Sequence, residues 1–143
     1  MDSLLLRALA LVGLILVSAL VAVVLKRRAG HLRPVVDGDV LAAADLGRPL
    51  GAEVTFVQFS TRTCTSCRTV RRVLGEHVGG APGAAHVEVD AEERLDLTRR
   101  LGILRTPTVV VLDGTGRVTG RFSGVPTPHQ VRDAVPHAGI PGR

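Results

Sequence analysis

The sequence predicts an α/β domain in which helices flank a mixed central sheet, preceded by one membrane-spanning helix. Three observations lead to this prediction: a long uncharged N-terminal stretch, an alternation of strand-like and helix-like segments, and a hairpin signal after that alternation. At 143 residues the chain is about one domain long. We find no internal repeat and no sign of a second folded domain.

The N-terminal stretch is apolar on every face. Residues 8–25, ALALVGLILVSALVAVVL, carry no charge, and as a helix they would span about 27 Å, close to the thickness of a bilayer core. A cleaved signal peptide is the main alternative, but its apolar region would be shorter, and the basic run Lys26-Arg27-Arg28 follows here instead of a cleavage site. We therefore predict a transmembrane anchor over residues 4–25, a basic linker over 26–37 and a folded domain over 38–138.

The charges that flank the anchor predict its orientation. Four basic residues follow the span within residues 26–33, whereas Asp2, Arg7 and the terminal amine precede it. The positive-inside rule then gives a single-pass protein of the cell membrane with its N-terminus outside and its domain in the cytoplasm. An outward-facing domain is the alternative. The same basic residues can meet anionic lipid headgroups.

The composition of the domain argues against a nucleic-acid partner. Residues 34–143 hold thirteen Arg against twelve Asp and Glu, so the excess positive charge lies beside the anchor. The whole chain has three Phe and neither Trp nor Tyr, which leaves few aromatic side chains on which bases could stack.

The first half of the domain predicts two strands around one helix. Residues 38–50 suggest a short strand or turn and one helical turn, and EVTFVQF, residues 53–59, reads as a buried strand. A helix with a buried face then runs to about Val78. HVEVD, residues 86–90, alternates as a second strand.

The second half predicts a helix, a hairpin and a terminal helix. A capping box of Asp90 and Glu93 would start a helix over residues 91–102. The buried strand TPTVVVLD turns at DGTGR into VTGRFSG. Thr127 and Gln130 then cap a last short helix that ends near Pro136.

Both cysteines of the chain lie at the predicted junction between the first buried strand and its helix, as Cys64-Thr65-Ser66-Cys67. A thiolate at a helix N-terminus is stabilised by unpaired N–H groups, and Arg62 and Arg68 would add to that effect. Cys67 lies one turn further along, within reach of a mixed disulfide formed at Cys64. The spacing thus predicts a redox pair with Cys64 as nucleophile and Cys67 as resolving thiol.

The cysteine pair has three other possible interpretations. A structural zinc site needs four ligands, and none of the five histidines has a second one at the usual spacing, so we predict no metal site of that kind. Cu(I) is held by soft thiolates, so a copper chaperone is the alternative function. Two inert buried thiols are the remaining possibility.

The segments VTFVQFSTRTCTSCR and GILRTPTVVVLDGTGRVTGRFSG, about forty residues apart, resemble the thioredoxin superfamily from about residue 38 to 136. The resemblance implies a thioredoxin-like fold, with Pro107 as a cis-proline beside the cysteine pair. It also implies a substrate groove bordered by Thr106, Gly124 and Thr63.

The sequence departs from that family at three places. Gln58 stands where thioredoxins have a buried Asp, no Trp precedes the pair, and the residues between the cysteines are Thr65 and Ser66. Their hydroxyls could hydrogen-bond the Cys64 thiolate and make the pair more oxidising, so Gln58, Thr65 and Ser66 are predicted to tune its potential.

These observations together predict a membrane-tethered thiol–disulfide oxidoreductase that needs no bound cofactor. Its partners would be protein disulfides and an electron-donating reductase, soluble or membrane-spanning. The lead-in DGDVLAAADLGRPLG resembles anchored thioredoxin-like proteins of cytochrome c maturation and envelope thiol chemistry, which act outside the cytoplasm. That resemblance supports the outward-facing alternative and conflicts with the orientation predicted from charge, so both orientations stay open.

Overall fold

The computed structural model describes residues 2–28, 32–34 and 38–135. Five helices and five strands follow one another in these ranges. In chain order they are α1 (Asp2–Arg28), β1 (Leu32–Pro34), α2 (Ala43–Leu46), β2 (Val54–Ser60), α3 (Thr65–Val78), β3 (Ala84–Asp90), α4 (Leu95–Arg100), β4 (Thr108–Asp113), β5 (Val118–Ser123) and α5 (Pro128–Ala134).

The five strands form one mixed sheet in the order β1-β5-β4-β2-β3. β2 and β3 are parallel, while the other neighbouring strands are antiparallel. Every residue of β2 is buried, because this strand lies between two others and has a helix layer on each face. The predicted mixed sheet flanked by helices is confirmed.

Two hydrophobic clusters fill the two faces of the sheet. On one face Phe56 and Phe122 pack with the buried side of α3 and with Val131 of α5. On the other face Phe59 packs with residues of α2 and α4, among them Leu46 and Leu97. The first cluster therefore fixes α3, whose N-terminus carries the cysteines, against the centre of the sheet.

The N-terminal helix α1 is exposed along its apolar length. Leu5–Leu25 is a stretch of 21 residues with a mean hydropathy of 3.0, and none of it is buried against the rest of the chain. Its length and composition suffice to cross a membrane, and they are also those of a signal sequence.

Two local predictions differ from the structure. The linker predicted over 26–37 contains β1, which pairs with β5 and was too short for the sequence to reveal. The helix predicted from residue 91 begins only at Leu95, because Asp90 accepts the N–H groups of Glu92 and Glu93 in a separate turn. Residues 136–138, predicted to end the domain, lie outside the described residues.

Candidate active site

The cysteine pair lies just after the end of β2, at the surface of the domain. Ser60 ends the strand, three residues turn, and Cys64 is the N-cap of α3. Its sulfur accepts the backbone N–H of Cys67 at 3.2 Å, so the helix N-terminus points at this sulfur atom. The two cysteines form a disulfide with their Cα atoms 5.4 Å apart.

The two sulfur-bearing residues differ in their access to solvent. Cys64 is half-buried, whereas Cys67 is 2 % exposed. A cleft of about 330 Å³ opens beside them. It is lined by Thr61, Arg62, Thr63, Cys64, Thr65, Cys67, Arg68 and Arg71. A partner thiol or disulfide that enters this cleft reaches Cys64 more readily than Cys67.

Pro107 lies at the same end of the sheet as the cysteines. Phe59 pairs with Thr108, so the residue before β4 lies opposite the end of β2. The Thr106–Pro107 peptide bond is cis, and the Pro107 carbonyl accepts the N–H of Gly124 at 2.8 Å. Thr106, Pro107 and Gly124 do not line the cysteine cleft itself. Their part in a substrate groove stays a prediction.

A buried side chain connects the resolving cysteine to a histidine. Gln58 is fully buried, and its Nε2 donates to the Cys67 carbonyl at 3.0 Å. Because a carbonyl only accepts, the amide nitrogen must face it, which leaves Oε1 to accept from His86 Nε2 at 3.0 Å. The N–H of His86 is therefore on Nε2 in this arrangement, and Gln58 offers no carboxylate to take a proton from Cys67.

A second polar network lies near that histidine. Arg71 donates twice to the Glu88 carboxylate, at 2.7 Å each, and Ser60 donates to the same carboxylate at 2.6 Å. The bidentate bond from Arg71, helped by Ser60, holds the pKa of Glu88 below its ordinary value of 4.5. Burial lowers the pKa of His86 below 6.5, and the nearby Glu88 charge opposes that shift.

Sequence reasoning missed these two networks. Neither Arg71 nor His86 has its partner nearby in the sequence, so no local pattern indicates these contacts. The parallel register that pairs Gln58 with Glu88 and Phe56 with His86 brings them together. Arg62, expected to act on the thiolate, donates to Glu93 at 2.9 Å while it borders the cleft.

The residues between the cysteines are exposed in the disulfide form. Thr65 and Ser66 occupy the first turn of α3, and among the described contacts neither hydroxyl donates to the Cys64 sulfur. Their effect on the potential stays a prediction about the thiolate form. Among residues 2–28, 32–34 and 38–135 no cluster of three or more His, Cys, Asp or Glu has the arrangement of a metal site.

The polar networks predict that the domain loses stability on acidification. Both His86 and Glu88 have lowered pKa values, so the unfolded chain binds more protons than the folded one as the pH falls. The His86 contribution is lost as the pH falls below 6.5, and the Glu88 contribution as it falls below 4.5. Urea titrations of the full chain in detergent, from pH 7.5 to 3.5, measure both windows.

Two variants separate these contributions. Glu88→Gln should flatten the pH dependence of stability below pH 4.5, and His86→Asn should flatten it just below pH 6.5. A free energy of unfolding that rises on acidification would contradict both assignments.

A redox-capable cysteine pair at the N-terminus of a helix, beside a mixed sheet, defines the class of thiol–disulfide oxidoreductases. Comparison with solved structures agrees with this class. Desulfothioredoxin from Desulfovibrio vulgaris Hildenborough is 30% identical, with a TM-score of 0.54, over 64% of this chain and 84% of that one. The chain belongs to the thioredoxin superfamily.

More distant thioredoxins show the same fold. A mutant thioredoxin from Halobacterium salinarum NRC-1 is 22% identical, with a TM-score of 0.52, over 58% of this chain and 72% of its own. Mitochondrial thioredoxin 3 from Saccharomyces cerevisiae is 19% identical, also with a TM-score of 0.52, over 58% of this chain and 76% of its own. No protein-family model and no curated protein sequence matches the chain.

Proposed function

We propose that this protein is a membrane-tethered oxidoreductase that reduces or exchanges disulfides of other proteins. The observation that carries the proposal is the half-buried Cys64, the N-cap of α3, bonded to the buried Cys67 beside an open cleft. The unburied apolar length of α1 supports the tether, because 21 such residues suit a bilayer core.

The cysteines themselves carry the electrons. In the dithiol form the Cys64 thiolate attacks one sulfur of the substrate disulfide, forms a mixed disulfide and releases the other substrate sulfur as a thiolate. Cys67, deprotonated, then attacks the Cys64 sulfur and expels the second substrate thiolate. The substrate gains two electrons and the protein ends with the Cys64–Cys67 disulfide, the form that the structure shows.

The helix N-terminus favours the first of these steps. The Cys67 N–H and the positive end of α3 are directed at the Cys64 sulfur, so they stabilise negative charge on that atom when it is free or leaving. The side chain that contacts Cys67 from β2 is the Gln58 amide, which donates to the Cys67 carbonyl and is not a carboxylate. The thiol proton of Cys67 therefore leaves to water or to a substrate group.

Recharging the pair requires an electron donor, and the donor depends on the side of the membrane. In the cytoplasm, where thiols are kept reduced, a soluble dithiol reductase would reduce the Cys64–Cys67 disulfide. On the outer side, electrons would have to cross the membrane through a spanning partner. We retain the cytoplasmic orientation predicted from charge, with the outward orientation as its alternative.

The proposal is tested with the full chain reconstituted in vesicles. Reduced protein is mixed with a disulfide-bonded protein substrate, and loss of free thiol at Cys64 and Cys67 is followed by alkylation. We expect one substrate disulfide reduced per protein oxidised. Stoichiometric Cu(I) retention with no substrate reduction would instead support the copper chaperone predicted as the alternative.

The orientation is tested in cells with a membrane-impermeant thiol reagent after mild reduction. Labelling at Cys64 only after lysis is the result expected for a cytoplasmic domain. Labelling in intact cells would place the domain outside and would favour envelope thiol chemistry.

A further inference from the structure

The chain enters the sheet at the end that carries the active site. β1 is antiparallel to β5, with Leu32 opposite Phe122 and Pro34 opposite Gly120. β5 is antiparallel to β4, and β4 to β2. The first residue of β1 therefore lies at the same end of the sheet as the last residue of β2, from which the chain continues to Cys64.

A second set of contacts shows that the described residues after β1 lie at the opposite end of the sheet from the active site. The backbone carbonyl of Asp39 accepts the N–H of Val118 at 2.8 Å, and Val40 pairs with Arg117. These contacts lie at the hairpin between β4 and β5, at the opposite end of the sheet from Phe122. Leu32 thus lies toward the active-site end of the sheet, and Val40 lies at the far end.

The connection between α1 and β1 is short. From Arg28 to Leu32 there are four Cα–Cα steps, so these two residues lie no more than about 15 Å apart. Three strand spacings separate β1 from β2 in the sheet, about 14 Å in all. The active-site end of β2 therefore stays within about 30 Å of the end of α1.

The far end of the sheet is held away from α1 by the same geometry. From Phe122 to the β4–β5 hairpin the sheet extends by about 20 Å. If the hairpin faced the bilayer, Leu32 would lie that much further from the bilayer surface. The connection from Arg28 to Leu32 reaches only about 15 Å when fully extended, which is less than this distance. An inverted domain is therefore sterically and entropically disfavoured.

From this geometry we infer that the active-site edge faces the bilayer, and that the substrates are disulfides of membrane proteins held within about 30 Å of its surface. The inference rests on the anchoring and the thiol–disulfide exchange proposed above. A short tether at the active-site end raises the local concentration of such disulfides at Cys64, and it keeps Cys64 from disulfides further out.

The orientation is measured by energy transfer from the domain to acceptor-labelled headgroups. The full chain with Cys64→Ser and Cys67→Ser is reconstituted in phosphatidylcholine–phosphatidylglycerol vesicles. One fluorophore is attached through Thr63→Cys, beside the active site, or through Thr115→Cys, in the hairpin; both threonines are exposed. We expect transfer several-fold more efficient from position 63.

A second far-end site and a lengthened tether complete the design. Ala52→Cys, exposed just before β2, repeats the far-end measurement should Thr115→Cys perturb the hairpin, whose Asp113 bonds Thr115. Twenty Gly/Ser residues inserted between Arg28 and Leu32, with a mean reach of about 25 Å, should abolish the difference between the two ends. Equal transfer without the insert, or more transfer from the hairpin, would overturn the inference.

A functional measurement addresses the substrate class. With the wild-type cysteines, the same insert should slow reduction of a disulfide on a vesicle-embedded peptide, close to the headgroups, and should not slow reduction of a soluble protein disulfide. Equal rates on the embedded peptide with and without the insert would reject the membrane-proximal substrate. Failure of the chain to float with vesicles rejects the anchor and with it the whole inference. Loss of all reduction rejects the redox function and the substrate class, while the orientation measured by energy transfer still stands.

Discussion

Replacing Cys64 by Ser is expected to reduce disulfide reduction to the uncatalysed background, while replacing Cys67 by Ser leaves the protein covalently trapped on its substrate. Without the Cys64 sulfur no mixed disulfide forms, because the remaining thiol, that of Cys67, is only 2 % exposed. Without the Cys67 sulfur the mixed disulfide forms but is not resolved from within the protein. The two single variants should therefore fail in different ways.

Non-reducing electrophoresis distinguishes the two outcomes. Cys67→Ser should yield a substrate adduct that disappears with dithiothreitol, and Cys64→Ser should yield none. Arg72→Gln is a suitable control, because Arg72 is exposed on α3 and does not line the cleft. Adducts of equal yield from both cysteine variants would contradict the assignment of nucleophile and resolving thiol.

Phe56→Ala is expected to lower the free energy of unfolding by about 3–5 kcal/mol. Phe56 is fully buried in the centre of the sheet and packs in the cluster that holds α3. The chain has only three Phe and no Trp or Tyr, so few large side chains remain to close the cavity. Since small domains are stable by about 5–15 kcal/mol, this loss is a large fraction of the total.

Urea titration in mild detergent, followed by far-UV circular dichroism, measures the effect. Phe56→Leu keeps much of the side-chain volume and should cost less than about 1.5 kcal/mol. Leu104→Ala, at a residue that is 96% exposed, should change the free energy by no more than about 0.5 kcal/mol. A Phe56→Ala midpoint equal to that of Leu104→Ala would show that this cluster does not carry the stability we assign to it.

The order of elements was predictable because each one has a local signal. The apolar stretch over residues 8–25, the buried strand before Cys64 and the Thr127–Gln130 cap depend on neighbours in the sequence, and the structure contains the corresponding elements. The disulfide partners were predictable for the same reason, since only two residues separate them at a helix start.

The start of α4 shows where local signals become ambiguous. Asp90 and Glu93 have the spacing of a capping box, yet Asp90 closes a turn and the helix begins at Leu95. The same Asp90 side-chain oxygen can cap a helix or close a turn. The packing of nearby buried residues, such as Ala91 and Leu97 in the core, decides between the two.

The sequence by itself determined the fold class, the apolar N-terminal helix and the cysteine pair, because hydrophobic periodicity and short-range spacing encode them. Only the tertiary structure decided that Gln58 connects Cys67 to His86, that Arg71 is bonded to Glu88, and that β1 enters at the active-site end. The physical reason is strand register. These partners lie far apart along the chain, and pairing between strands, which no local pattern specifies, brings them within hydrogen-bonding distance.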